Sequence, residues 1–411
     1  MIYKEAKKIS WLEVFTILLF SSYFILPSLP SVINFLIVLA GALMYSVYVG
    51  LKDKQMLRFV IIYLTCSLLI ATAVTVLTDT TSINVTLSYL KLRQFKSTLS
   101  QYLFMYLPVV FSKRVFLRAN LNQKKLIFTY CSSLFVFVTL ITLKELAINP
   151  GIIRQWENFS ELEHQNVGNY YFVYAIPILI ITLAVLMENK KIDEKIFILC
   201  FIALFFFFIL QAEYTLALLI TMIGLLVVLY KSIKNMIFKM IFIFASIFIL
   251  ILLPNILSLI ADNIHSTQMA LRITELQEFF SSGSADGYNL NGRLNLYWKS
   301  ILAFLKSPIF GNRTLGFNGH ALFLTILADT GLLGGIPFYC LLVVSRKQIK
   351  QLLKENNINY MPVFLCLLLT GFTNPIQRSY PVSFAIWFLA PLAISLFTSK
   401  EDIFYENGME D

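Results

Sequence analysis

Apolar runs of about 17 to 25 residues, each with at most two charged residues, recur along this chain from end to end, and as a helix each is long enough to cross a bilayer core about 30 Å thick. They lie near residues 11–29, 31–50, 57–78, 95–112, 126–147, 169–187, 195–212, 214–230, 237–260, 320–345, 360–376 and 380–398. The pattern predicts an all-α polytopic membrane protein of about twelve transmembrane helices, with residues 1–411 forming one integral membrane domain. The fourth run is the most interrupted, because Gln94, Lys96, Gln101 and several serines fall at its start. Hydrophobic residues make up 58% of the chain and charged ones 14%. Soluble domains carry about a quarter charged residues, so a soluble fold is excluded.

The net charge of +10 does not point to nucleic acid, because the basic residues are scattered among loops and do not form one solvated face. If the N-terminus is cytoplasmic, 22 of the 33 basic residues fall in cytoplasmic segments. Among them are Lys52, Lys54, Arg58, Lys113, Arg114, Arg118, Arg346, Lys347 and Lys350. The positive-inside rule then predicts that both termini are cytoplasmic. Without a small-residue cleavage site after a short apolar core, the first run reads as an uncleaved anchor. Cys66, Cys131, Cys200, Cys340 and Cys366 all sit inside apolar runs and form no C-x-x-C pair, which disfavours a disulfide framework or a zinc site.

The remaining basic residues carry more information, since cytoplasmic retention does not account for them. Six are arginines, and five of these, Arg154, Arg272, Arg293, Arg313 and Arg378, fall in external loops. A guanidinium offers a planar fork of donors and a permanent charge, which suits it to gripping a phosphate. The longest external loop, 261–319, contains a segment from Arg293 to Lys306. It reads as an amphipathic helix along the outer interface, with Leu294, Tyr297, Trp298, Ile301, Leu302 and Leu305 on its apolar stripe. Pro308 and Gly311 end that helix, and a short connection delivers Arg313 and then His320 at the start of the tenth run.

An imidazole titrates near neutrality, so His320 is suited to take a proton from a hydroxyl, while neighbouring cations could stabilise a departing pyrophosphate. His164, His265 and His320 are not paired at helical or turn spacing and no acidic cluster accompanies them, so a metal site has little support and none is expected. Glu213, at the external end of the eighth run, and Asp329, in the tenth, are ionisable residues each expected to face the bundle or a wet cavity. Gly331, Gly334 and Gly335 read as small residues that let a neighbouring helix approach.

Arg293 with Trp298, then Ser307-Pro308-Ile309-Phe310-Gly311, His320 and Gly331-Leu332-Leu333-Gly334, resembles the signature of the O-antigen ligase and Wzy-type polysaccharide polymerase superfamily. The segment His164-Gln165-Asn166-Val167-Gly168-Asn169-Tyr170 resembles that family's N-x-x-G-x-Y approach to a mid-chain helix. The resemblance implies a metal-independent glycosyltransferase of GT-C type that needs no cofactor. It would act at the outer face of a bacterial cytoplasmic membrane on undecaprenyl-pyrophosphate-linked oligosaccharides, as donor and as acceptor. Membrane lipid, a flippase and a chain-length regulator would be its partners, and nucleic acid would not.

On this reading His320 activates the acceptor hydroxyl and Arg293 contacts the pyrophosphate. Asn166 shapes the site, and Trp298, Arg154, Arg272, Arg313 and Arg378 contribute to binding. The chain departs from the family at Gln211-Ala212-Glu213-Tyr214, where an arginine is expected, and at Ala321, where an asparagine commonly follows the histidine. The short run from Arg293 to His320 looks more like the polymerases than the ligases. A flippase for the same lipid-linked glycan is the rival expectation, and it would need polar residues distributed along the spans.

Overall fold

The computed structural model describes residues 9–76, 87–149, 152–154, 159–187, 190–261, 274, 290–311, 321–353, 360–374, 376 and 379–398. Among them the chain is helical, with no β-strand. In order, the helices are α1 (Trp11–Ile25), α2 (Ser28–Val32), α3 (Phe35–Lys52), α4 (Lys54–Val76), α5 (Leu87–Arg118) and α6 (Leu121–Ile148). A 3-10 turn (Ile152–Arg154), α7 (Phe159–His164), α8 (Tyr170–Val173), α9 (Ile176–Leu186), α10 (Ile192–Gln211), α11 (Thr215–Ser232) and α12 (Met236–Ala261) follow. The chain closes with α13 (Leu290–Lys306), α14 (Leu322–Leu353), α15 (Met361–Thr373), α16 (Tyr380–Phe384), a π-turn (Ala385–Leu389) and α17 (Ala390–Thr398).

Local chemistry sets several of these boundaries. Ser10 caps α1 by accepting from the Glu13 N–H at 3.2 Å, and Asn34 caps α3 through Leu36. Asn120 and Gln123 form a reciprocal capping box that opens α6. Pro27 follows the end of α1, so the first apolar run stops as a helix at Ile25.

By length and composition, six helices can cross a membrane: Phe35–Lys52, Lys54–Val76, Leu121–Ile148, Thr215–Ser232, Leu322–Leu353 and the continuous Tyr380–Phe397. Trp11–Ile25, Tyr170–Leu186, Met236–Ser246 and Met361–Thr373 are shorter apolar helices. Core and rim differ as expected for a bundle in hydrocarbon. Tyr106, Phe111 and Trp387 are fully buried at the centre, while Met44, Ile237, Phe244 and Ile336 are apolar and mostly exposed. The protein is a multi-pass helical membrane protein.

Three features depart from the expectation of plain apolar spans. The first is α5, which is one helix of 32 residues, about 48 Å long, beginning well before residue 95. The second is Glu13, an ionisable residue inside the first run that the sequence reading passed over. Its carboxylate takes two hydrogen bonds from the Arg114 guanidinium, at 2.6 and 3.1 Å, and both side chains are 3% exposed. Arg118 pairs with Asp53 at 2.8 Å in the turn between α3 and α4, and the Ile9 N–H reaches the Arg118 carbonyl at 3.3 Å. Charges read from sequence as topological therefore stitch α1, α5 and the α3–α4 turn together. The third is a break in α14 at Gly331, whose backbone is non-helical at φ 57 and ψ −153.

Candidate functional site

The segment that precedes α8 is built on helix-end chemistry. At Asn166, φ is 59, the left-handed conformation that ends helices. The Val167 N–H returns to the Leu162 carbonyl and the Asn166 N–H to Glu163, closing α7 in a Schellman arrangement. The Asn166 side chain accepts from the Ser28 hydroxyl at 2.6 Å and from its N–H at 3.3 Å, tying α7 to α2. Gly168 then passes against α6: its N–H donates to Thr142 Oγ1 at 2.6 Å, and a Cβ there would meet Phe172 at 2.7 Å.

Asn169 caps α8 through the N–H groups of Tyr171 and Phe172, and its amide donates to the Glu163 carboxylate at 3.2 Å. Glu163 is half-buried. Burial raises its pKa above the ordinary glutamate value, against the opposing pull of Asn169 and His164. A carboxyl held in this way is a candidate proton acceptor or donor.

Tyr170, the next residue, joins this segment to two others. It hydrogen-bonds Asn374 Oδ1, and the Asn374 carbonyl accepts from the Leu322 N–H at 3.1 Å, which caps the start of α14. Asn374 is fully buried. Ser379, just ahead of α16, donates its hydroxyl to the Tyr171 carbonyl at 3.2 Å. The Tyr170, Tyr174 and Tyr214 rings lie 4.9 to 6.0 Å apart. Glu213 is buried in the left-handed turn before Tyr214 at φ 57. The end of α15 and the starts of α8, α14 and α16 thus meet at one buried asparagine, with α7 joined to them through Asn169 and α11 through Tyr214.

The α13–α14 junction is a second unit. The Leu332 and Leu333 N–H groups, freed by the break at Gly331, donate to the carbonyls of Pro308 and Ile309 at 2.8 and 3.1 Å. A Cβ on Gly331 would lie 2.5 Å from the Ile309 carbonyl, and Gly311, at φ 80, faces the backbone of Asp329 and Thr330 equally closely. The Ser307–Gly311 and Gly331–Gly334 motifs therefore form one interlock. Gly331 allows the close approach expected of it and also supplies the left-handed backbone that seats the turn, while Gly311 ends the turn after α13 at a positive φ of its own.

Of the residues expected at the site, Asn166 is described in full and its side chain is engaged by Ser28. Trp298 lies on the outward face of α13, 59% exposed. The backbones of Arg293 and Arg154 belong to α13 and to the 3-10 turn, and their side chains fall outside the described residues. Arg272, Arg313, His320 and Arg378 also lie outside them. In sequence His320 directly precedes Ala321, and Arg378 precedes Ser379. All five cysteines are free, and among the described residues no group of three or more His, Cys, Asp or Glu is placed to hold a metal ion. Nothing in the sequence alone marks Ser379, and the Asn-Pro pair at 374–375 favours a turn without naming a partner for Asn374.

Fold and contacts define the class: a multi-pass all-helical membrane protein with a polar node at one end of its bundle. No family model matches the chain, and no curated protein matches it.

Proposed function

We propose that the chain is a metal-independent glycosyltransferase that joins undecaprenyl-pyrophosphate-linked repeat units into O-antigen, capsular or exopolysaccharide chains. His320 takes the proton of the acceptor hydroxyl as that oxygen bonds to the anomeric carbon of the donor sugar. The bond from that carbon to phosphate breaks, and undecaprenyl pyrophosphate leaves, its charge held by Arg293 with Arg154, Arg272, Arg313 and Arg378. Asn166 serves by shaping the loop, since its side chain is committed to Ser28.

One observation carries the reading. Two segments that the sequence resemblance marks, 166–170 and the start of α14 after His320, are joined through Asn374 and Tyr170 to each other and to the stretch that carries the candidate Arg378. The test is incubation of purified protein with a defined undecaprenyl-pyrophosphate repeat unit, with product length read on gels. His320→Ala and Arg293→Ala are expected to reduce polymer at least about 100-fold while leaving insertion and expression intact. Wild-type chain length in the His320 variant would remove that residue's role. Transfer to a lipid A core, with no ladder, would identify a ligase.

A flippase is the second reading, favoured by the buried Glu13–Arg114 pair, which holds charge among the helices. In a deletion strain, single repeat units accumulating on the outer face support the polymerase, and accumulation on the inner face supports the flippase.

A further inference from the structure

We propose that residues 290–311 form a re-entrant helix and turn sunk into the bilayer half opposite Arg346, with the outward face of α13 and its turn against lipid hydrocarbon chains. This goes beyond a helix lying along the membrane surface, and it rests on the chain being a membrane protein, not on glycosyl transfer.

The depth follows from the interlock. Leu332 and Leu333 donate to Pro308 and Ile309, so the turn is fixed at the level of the break in α14. From Leu332 to Ser345 the helix is uncharged, and at Arg346 and Lys347 it becomes charged and exposed, which marks one boundary of the hydrocarbon. Gly331 precedes Arg346 by fifteen residues, about 22 Å of helix. In a core about 30 Å thick that level is past the midplane and short of the far boundary, and a tilt of about 20° does not change this.

Side chains at that level suit hydrocarbon. Leu294, Trp298, Leu302 and Leu305 share the outward face of α13, 40 to 63% exposed, and Ile309 and Phe310 continue it at 57% and 54%. On α14, Leu332, Leu333 and Ile336 beside the turn are also exposed apolar residues. Among the described side chains of α13 the buried ones are the small Ser300 and Ala303, so the helix turns its bulk outward. A contiguous apolar surface of this kind is costly in water and ordinary in lipid.

Backbone at such depth must be satisfied internally. The Ser307 and Gly311 N–H groups find carbonyls at Ala303 and Ser307, and Pro308 has no N–H to satisfy. The carbonyls of Pro308 and Ile309 are taken by α14. Lys299 and Lys306 are exposed, and their long stems can carry the ammonium toward headgroups.

The test is spin labelling at Ile309→Cys and Phe310→Cys in full-length protein with the exposed Cys200 and Cys340 replaced by alanine, in phosphatidylcholine–phosphatidylglycerol vesicles. Lys347→Cys serves as the boundary control. Labels at 309 and 310 are expected to collide with oxygen in preference to a water-soluble nickel chelate, at a depth between midplane and boundary. Preference for the nickel chelate would overturn the proposal in favour of a surface helix. Shielding from both reagents would overturn it in favour of a second copy or another protein covering the face. Polymer synthesis does not enter the readout, so this result is separable from the fate of the glycosyltransferase reading.

Discussion

Asn166 and Glu13 show how differently two polar residues can be employed in one bundle. Asn166 adopts φ 59 and bonds Ser28, so its work is conformational as well as polar. Asn166→Ala loses both and is expected to cost about 2 kcal/mol or more, whereas Asn166→Gly keeps the backbone and should cost about half as much. Thermal unfolding of the two variants in detergent checks this, and equal losses would mean the cap is not the reason for asparagine. Glu13 neutralises Arg114 inside the protein, both being 3% exposed. Glu13→Ala leaves a buried guanidinium without its counter-charge and is expected to cost about 3–5 kcal/mol, while the pair Glu13→Leu, Arg114→Met should recover most of it. Melting of Glu13→Ala at the wild-type temperature would show that the pair contributes nothing.

At the scale of elements, the break in α14 and the stitched ends of α1, α4 and α5 matter most. Gly331→Ala places a Cβ against the Ile309 carbonyl in a left-handed backbone, and a loss of roughly 2 kcal/mol or more is expected. Gly292→Ala meets nothing within 4 Å on α13 and should be neutral or slightly stabilising in the same unfolding assay. The Asp53–Arg118 pair gives a pH signature. Burial raises the Asp53 pKa, but Arg118 and the N–H groups of Gln55 and Met56 outweigh it and hold the carboxyl below its ordinary 3.8. The unfolded chain therefore takes up the proton first. The stabilisation is present above 3.8 and drains away as pH falls through the folded value, and unfolding against pH should show an acid limb that Asp53→Asn lacks.

The helices themselves were legible because apolar length needs no partner to be read. α3, α4, α6 and α11 fall on the expected runs, and α13 on the expected amphipathic stripe. Pairing was not legible. Glu13 meets Arg114 101 residues away and Tyr170 meets Asn374 204 residues away, and neither separation leaves a local spacing. One carboxylate hardly alters the mean hydropathy of a long run, so Glu13 passed as part of a plain span. The break at Gly331 was hidden for another reason: a glycine that lets a helix approach and one that ends a helix look alike until the Pro308 and Ile309 carbonyls are seen in the gap.

For the whole molecule, the bundle concentrates unlike chemistry at separated places. Ion pairs hold α1, α5 and the α3–α4 turn, apolar and aromatic packing fills the centre, and hydrogen-bonded turns gather around Asn374. The proposed glycosyl transfer belongs at the last of these, where Leu322, two residues after His320, and Ser379, next to Arg378, are held by backbone hydrogen bonds. The decisive measurement is made on purified protein in nanodiscs with one undecaprenyl-pyrophosphate repeat unit and no added metal or nucleotide. A polymerase gives a ladder of lengthened chains with release of undecaprenyl pyrophosphate, lost in His320→Ala. Unchanged repeat units, with the protein folded and the donor intact, would contradict the polymerase reading.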